Sequence, residues 1–294
     1  MPAIARLFKI MNEVKKGWTE IIEPQHSAFD LRLRQLWQYR DLLKLWVRRD
    51  FVATYKQTIL GPLWFFIQPL ITTLMFTIVF GKFAKLSTDG LPQVLFYLSG
   101  VTIWNYFSDS FTKTATVFKD NANIFGKVYF PRLIMPLSII ASNLVRFSIQ
   151  FLLFVVILIF YKIFGNPKVQ PNWMILLTPY LILLMAGFSL GGGMIISAMT
   201  TKYRDLIFLL TFGVQLFMYA TPVIYPISSL AAKYKPLVMA NPISSVVETF
   251  RYAYLGTGTF SWGALLYSTV FMLILLFSGT LIFNKVEKNF MDSV

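Results

Sequence analysis

Apolar residues in this chain come in long blocks separated by short charged stretches. An apolar run of about 18 or more residues reads as a bilayer-spanning helix, because about 20 residues rising 1.5 Å each cross about 30 Å of hydrocarbon. The pattern predicts six spans. Leu63–Phe80 is uncharged, is entered through Gly61-Pro62 and contains Pro69. Val94–Phe111 is weaker, polar at Ser99, Thr102, Asn105, Ser108, Asp109 and Ser110. Leu133–Tyr161 has 29 residues, about 43 Å as a helix. Trp173–Thr200 carries Gly187, Gly191, Gly192 and Gly193, and small residues four apart let helices approach closely in lipid. Leu206–Thr221 and Gly263–Phe283 complete the set.

Two segments break the pattern. From Asp30 to about Thr58, Leu33, Leu36, Trp37, Leu43, Trp46 and Val47 recur at helical spacing against Arg32, Arg34, Arg40, Lys44, Arg48 and Arg49. A basic helix with Trp and Leu on its other face lies in the membrane interface; a packed helix of a soluble domain is the alternative. The second segment, Pro222 to Trp262, is apolar but interrupted by Pro222, Pro226, Pro236 and Pro242. Two short helices fit it, about Ile227–Lys233 and Ile243–Leu255, and neither is long enough to cross. The second would carry Glu248 and Arg251 into the hydrocarbon, at about 2.5–3.5 kcal/mol for a central charge. A re-entrant external hairpin at about 222–256 is tolerable there only against protein or a water-filled cavity. The expected fold is therefore all-α integral membrane. Residues 1–29 form a cytoplasmic lead-in, 30–58 an amphipathic interface helix, and 59–294 a six-span domain.

Composition sharpens this. Of 294 residues, 56% are hydrophobic and 14% charged, against about 25% charged in soluble domains. A net charge of +14 would suggest nucleic acid in a soluble protein. Six crossings put both termini on one side, and that side holds 19 Lys and Arg against 7 opposite. The positive-inside bias then places both termini in the cytoplasm and accounts for the charge without nucleic acid. Arg146 stands outside both groups. It is placed near the cytoplasmic interface, where it can snorkel; a functional buried arginine is the other reading. The first twenty residues, with Glu13 and Lys15-Lys16, do not form a secretory signal. Cysteine is absent and His26 is the single histidine, so disulfides and the usual thiolate or imidazole metal sites are excluded.

No Walker A, HExxH or GxSxG pattern occurs. The external loops offer only Asp89 and Glu248 as acids, too few for an enzyme acting at that face. Ion-coupled transporters carry intramembrane ionisable groups, which are nearly missing here. Uphill transport would draw its energy from a partner; an autonomous channel would not need one. Thr112–Arg132 contains a short helix, about Val117–Phe125, bearing Phe118, Ile124 and Phe125. It suits a groove on a cytosolic protein or the surface of its own chain. Thr200–Asp205 is a second cytoplasmic turn. Among the aromatics, 17% of residues, Trp104, Phe107, Phe212, Phe217 and Tyr219 are candidates to line a passage where flat rings meet sugars, though each also suits packing.

Several strings, in order, resemble the permease subunit of ABC-2 type polysaccharide exporters, which handle O-antigen, capsule and teichoic acid chains. They are Arg49-Asp50 with Tyr55-Lys56; Leu60-Gly61-Pro62-Leu63-Trp64 and Gln68-Pro69; Tyr97, Gly100 and Trp104; and Lys127-Val128-Tyr129-Phe130-Pro131-Arg132 with Pro136. Tyr203-Arg204-Asp205 follows, then Thr221-Pro222-Val223-Ile224-Tyr225-Pro226, Asn241-Pro242 and Phe250-Arg251. The resemblance covers about residue 30 to the C-terminus. It implies a homodimer in a bacterial inner membrane, bound to two copies of a cytosolic ATPase that carries the ATP and Mg, with no cofactor on this chain. Undecaprenyl-pyrophosphate-linked polysaccharide would pass between the subunits; an ABC-2 exporter of a small lipophilic compound is the alternative cargo class. By similarity, Val117, Phe118, Lys119, Asn121, Ile124 and Phe125 with Tyr203, Arg204 and Asp205 couple to the ATPase. Pro222, Tyr225, Pro226, Asn241, Pro242 and Arg251 belong to an external gate. Arg48, Arg49 and Lys56 before the first span, and Lys127 and Arg132 before the third, suit a lipid pyrophosphate as charge-assisted partners. Anionic membrane lipid, worth about 1 kcal/mol per residue, is the competing partner.

Overall fold

The computed structural model describes residues 33–56, 58–125, 130–164, 168–203 and 205–290. Lys127, Arg204 and the lead-in over 1–29 lie outside them. All regular structure among the described residues is helical. The interface segment is two helices, α1 (Leu33–Gln38) and α2 (Arg40–Tyr55), where the sequence predicts one. They part at Tyr39, whose φ of −89° and ψ of 17° fall in the sparsely allowed bridge region. Trp46 turns inward from α2 and meets Phe130 at 6.3 Å between ring centroids, while Trp37 stays exposed.

The helices that follow are α3 (Trp64–Phe76), extended by a 3₁₀ turn over Gly61–Leu63 and a π-helical stretch over Thr77–Phe83, and α4 (Gln93–Ala115). Next come α5 (Val117–Asp120), α6 (Ala122–Phe125) and α7 (Ile134–Ile163). A 3₁₀ turn over Trp173–Leu177 leads into α8 (Thr178–Lys202), then α9 (Leu206–Tyr219). The chain ends with α10 (Lys235–Ala240), α11 (Pro242–Leu255) and α12 (Trp262–Phe290). Among the described residues, four helical stretches are long and apolar enough to cross a membrane: Gly61–Phe83, Ile134–Ile163, Trp173–Lys202 and Trp262–Val286. They match four predicted spans to within a few residues. The other two differ for opposite reasons. α4 has the length, 23 residues, but Asn105, Asp109 and Lys113 dilute its apolar character. α9 is apolar but only 14 residues long, about 21 Å of rise.

The glycines of α8 set how closely the long helices pack. A Cβ on Gly191 would lie 2.7 Å from the backbone of Leu275 in α12, and one on Gly193 would lie 2.6 Å from Thr114 in α4. No side chain fits at either place: at Gly191 the backbones themselves approach, and at Gly193 the Thr114 side chain packs onto the bare helix. Apolar residues of α4, α7, α8 and α11 close a common core that includes Leu95, Phe96, Phe154 and Phe250.

The proline-rich segment departs from expectation in its first half. Ile227–Ser229 is a single 3₁₀ turn, not the start of a helix to Lys233. The helix begins at Lys235 because Pro236 suits a first turn, where its missing N–H is not needed. The second half is α11, within a residue of the predicted bounds.

Candidate functional site

α11 begins at Asn241, whose Oδ1 accepts from the Ile243 amide at 3.0 Å while its Nδ2 donates to Thr221 Oγ1 at 2.9 Å. One residue thus caps the helix and fastens it to the Thr221-Pro222 turn. About two and three turns later come Glu248 and Arg251, each side chain 1% exposed. Arg251 Nη1 donates to Glu248 Oε1 at 2.9 Å, and Nη2 donates to the Val223 carbonyl at 3.0 Å. The guanidinium also lies 3.9 Å from the Phe96 ring centroid. Glu248 Oε2 accepts from the Thr259 amide at 3.0 Å. Burying two charges is tolerable only with such pairing and added hydrogen bonds. The two charges that seemed costly in the hydrocarbon therefore neutralise each other inside the protein. Both carboxylate oxygens of Glu248 are thus engaged, one by Arg251 and one by Thr259.

Of the other expected gate residues, Tyr225 donates from its hydroxyl to the Tyr219 carbonyl at 3.1 Å. Nearby in the chain, Ser228, outside the expected set, donates to Asp89 Oδ1 at 2.6 Å. Pro222 and Pro226 are buried, and Pro242 opens α11. Gly100 of α4 is the member that sequence reading did not connect to them. A Cβ there would lie 2.6 Å from the Val223 carbonyl oxygen and 3.3 Å from Arg251 Nη2.

Below Gly100, α4 changes character. Asn105, Ser108, Asp109 and Thr112 share one face by their spacing, and all four are only half-buried. Across from them on α7, Gln150 Oε1 accepts from Asn105 Nδ2 at 3.4 Å and Asn143 Nδ2 donates to Ser110 Oγ at 3.2 Å. Asp109, Lys113, Arg146 and Asp50 interact electrostatically, and the Arg146 guanidinium lies 5.7 Å from the Phe65 ring. Arg146 is thus half-buried among charged and aromatic side chains of its own chain. Thr102, Ser142 and Asn143 also bury polar oxygens that find no hydrogen-bond partner among the described residues.

The five aromatic candidates divide. Trp104, Phe107 and Phe217 pack against one another at tilted angles, with centroids 5.3 to 6.1 Å apart, and Trp104 and Phe107 are buried. Phe212 and Tyr219 lie on the outer face of α9, 58% and 49% exposed, beside exposed Gln215. The cytoplasmic loop also sorts itself. Val117, Phe118 and Phe125 are buried, and Phe118 stacks on Phe283 at 4.6 Å. Of the two readings open for these aromatics, a partner's groove or their own chain, Phe118 and Phe125 pack against their own chain in the structure. Lys119, Asp120 and Asn123 are the exposed residues, with Asn121 and Ile124 half-buried. The helix predicted over 117–125 is two short ones, broken at Asn121.

Residues 41–255 match the family described as ABC-2 type transporter. The chain belongs to that family. Among curated relatives of this ABC-2 chain is the O-antigen export system permease protein RfbA of Myxococcus xanthus, 28% identical over 264 residues, which are 89% of this chain and 98% of that protein. A protein of the same name from Klebsiella pneumoniae is 28% identical over 255 residues, 86% of this chain and 94% of its own. The polysialic acid transport protein KpsM of Escherichia coli is 23% identical over 247 residues, 83% and 93% of the two chains.

The basic residues of the ABC-2 chain are not equivalent. Arg49 is held by Asp50, Nη2 to Oδ1 at 2.6 Å, and lies 3.7 Å from the Trp46 ring centroid. Arg132 is buried, with its guanidinium 5.4 Å from the Phe125 ring. Arg48 and Lys56 are exposed. At the second cytoplasmic turn, Tyr203 and Asp205 are exposed. The helices and the family together make this a multi-pass membrane protein.

Proposed function

We propose that this chain is the passage-forming subunit of an ATP-driven exporter that carries lipid-linked, O-antigen-like polysaccharide from the cytoplasmic to the outer face of a bacterial inner membrane. The observation that carries the reading is the match along 98% of an O-antigen export permease. In this reading α4 and α9 also cross, giving six spans, and the Pro222–Gly256 segment is a re-entrant hairpin at the outer face. The 19-to-7 charge bias puts both termini in the cytoplasm. Two copies form the passage, and each binds a cytosolic ATPase that holds ATP and Mg.

The half-buried polar face of α4 supports a hydrated route. Asp109 facing lipid would cost about 2.5–3.5 kcal/mol, so this face belongs against water or protein, and Asn105, Ser108, Asp109 and Thr112 can hydrogen-bond sugar hydroxyls. The unpartnered oxygens of Ser142 and Asn143 nearby suit ordered water. Phe212 and Tyr219 offer ring faces, whereas Trp104, Phe107 and Phe217 brace the wall behind. The route is inner-half only: above Gly100 the Arg251–Glu248 pair and Val223 close it. Arg48 and Lys56, with Lys127, are the side chains for the carrier pyrophosphate, since Arg49 and Arg132 are already engaged. Lys119, Asp120 and Asn123, with Tyr203 and Asp205, face the ATPase.

The test is co-purification with the candidate ATPase, followed by its hydrolysis rate with and without lipid-linked glycan. Stable association and stimulation by the glycan are expected; no association would sink the reading. Stimulation by small lipophilic compounds alone would favour that cargo class instead.

A further inference from the structure

The polar seam between α4 and α7 runs in register. Asn105 meets Gln150 at 3.4 Å and Ser110 meets Asn143 at 3.2 Å, so positions rise along α4 as they fall along α7. One turn along from Asn105 and Gln150, the same register sets Asp109 opposite Arg146. Asp109, Arg146 and neighbouring Lys113 are half-buried, and by themselves they carry one positive charge in excess. The balancing charge comes from another element. Asp50 of α2 has a side chain 23% exposed and faces both Lys113 and Arg146. Aromatic packing fixes its seat. Phe51, the next residue, stacks on Phe65 of α3 at 5.6 Å, and the Arg146 guanidinium lies 5.7 Å from that same ring. Arg49 also holds Asp50, but its side chain is 45% exposed, and water screens its charge.

Two carboxylates from different elements therefore share the same two cations. Away from bulk water such sharing is strong, because charges interact several times more strongly there than in solvent. We propose that Asp50 is a positioning residue for the passage: from the interface helix it takes part of the hold on Lys113 and Arg146, which leaves Asp109 free to face the hydrated side of α4. With α2 seated, the four charges cancel. With α2 withdrawn, Asp109 alone meets two cations and the lining turns net positive. The charge that the passage presents is thus set by where the interface helix sits. This rests on the export reading above, which supplies the use of the α4 face.

The chain has no cysteine, so Ser108→Cys places a single thiol beside Asp109. The test measures its reaction rates with an anionic and a cationic methanethiosulfonate, in nanodiscs with the ATPase bound. Asp50→Asn is expected to raise the anionic-to-cationic rate ratio about tenfold, the effect of one unbalanced charge at an effective dielectric between protein and water. Asp50→Glu should keep the original ratio, and adding Lys113→Met to Asp50→Asn should restore it. Asp41→Asn, an exposed acid of the same helix paired with Lys44, should not move it. A loosened fold changes both rates together and leaves the ratio alone. If Asp50→Asn does not insert by itself, insertion of the double variant is the expected result, and failure of both overturns the assignment. An unmoved ratio, a shift that Lys113→Met does not reverse, or export that stays normal while the ratio moves would each overturn the role of Asp50 and leave the export reading standing. A thiol that neither reagent reaches would refute the hydrated face, and the proposal with it. Because the ratio is read without glycan, a protein that shows the shifts but exports no polysaccharide in its unmodified form would refute the functional reading alone.

Discussion

Arg251 and Glu248, three residues apart on one face of α11, meet at 2.9 Å with 1% of either side chain exposed. The pair stands at the junction of three elements: α11 supplies both charges, the Val223 turn receives Arg251, and the Thr259 amide donates to Glu248. Removing one partner leaves the other as an uncompensated buried charge. Arg251→Ala is therefore expected to cost about 3–5 kcal/mol, read as a lowered unfolding temperature in detergent. Arg251→Lys should rescue little, because one ammonium cannot reproduce the forked contacts to Glu248 and Val223. The double variant Arg251→Met, Glu248→Leu should recover much of the stability; failure to do so would mean the pair does more than satisfy itself.

Gly100→Ala adds one methyl group 2.6 Å from the Val223 carbonyl oxygen. The expected outcome is displacement of the turn and loss of the Arg251 contact, costing about 1–3 kcal/mol as overpacking does. Gly213→Ala, in open space on α9, should be neutral or stabilising by under about 1 kcal/mol. Thermal unfolding of the two variants side by side checks the contrast.

Asp109→Leu makes α4 a more apolar helix and should improve its insertion. Export is nonetheless expected to fall at least about tenfold, with ATPase association retained, because the hydrated face loses its charged group. Surface glycan together with co-purification measures both halves of this expectation. Undiminished export would remove Asp109 from the passage.

At the cytoplasmic loop, burial separates stability from coupling. Phe118→Ala deletes a ring stacked on Phe283 and is expected to destabilise the protein by about 3–5 kcal/mol. Lys119→Glu, on the exposed side of the same turn, should leave stability within about 0.5 kcal/mol while weakening ATPase binding. Co-purification yield beside the melting temperature distinguishes the two.

How much of this was legible in the sequence depended on the range of the interaction. Long apolar runs predict spans at Leu63–Phe80, Leu133–Tyr161, Trp173–Thr200 and Gly263–Phe283, each bound within about three residues of the helical stretches in the structure, because composition over several turns decides them. The spacing of Glu248 and Arg251 already permits a helical ion pair. Val223, Gly100 and Thr259 could not be read, since they converge only through tertiary packing. The inward turn of Phe118 and Phe125 was one of two readings that the spacing left open. The start of α10 is not legible in the apolar pattern, because Pro236 interrupts a run and opens a helix equally well.

The brevity of α9 has a consequence for the lipid around it. If its 14 residues cross the membrane, they present about 21 Å of apolar length to a hydrocarbon layer of about 30 Å. Such a hydrophobic mismatch is relieved by local thinning of the bilayer. Headgroups of the two leaflets then come closest beside this helix, and a bulky charged carrier has its shortest journey there.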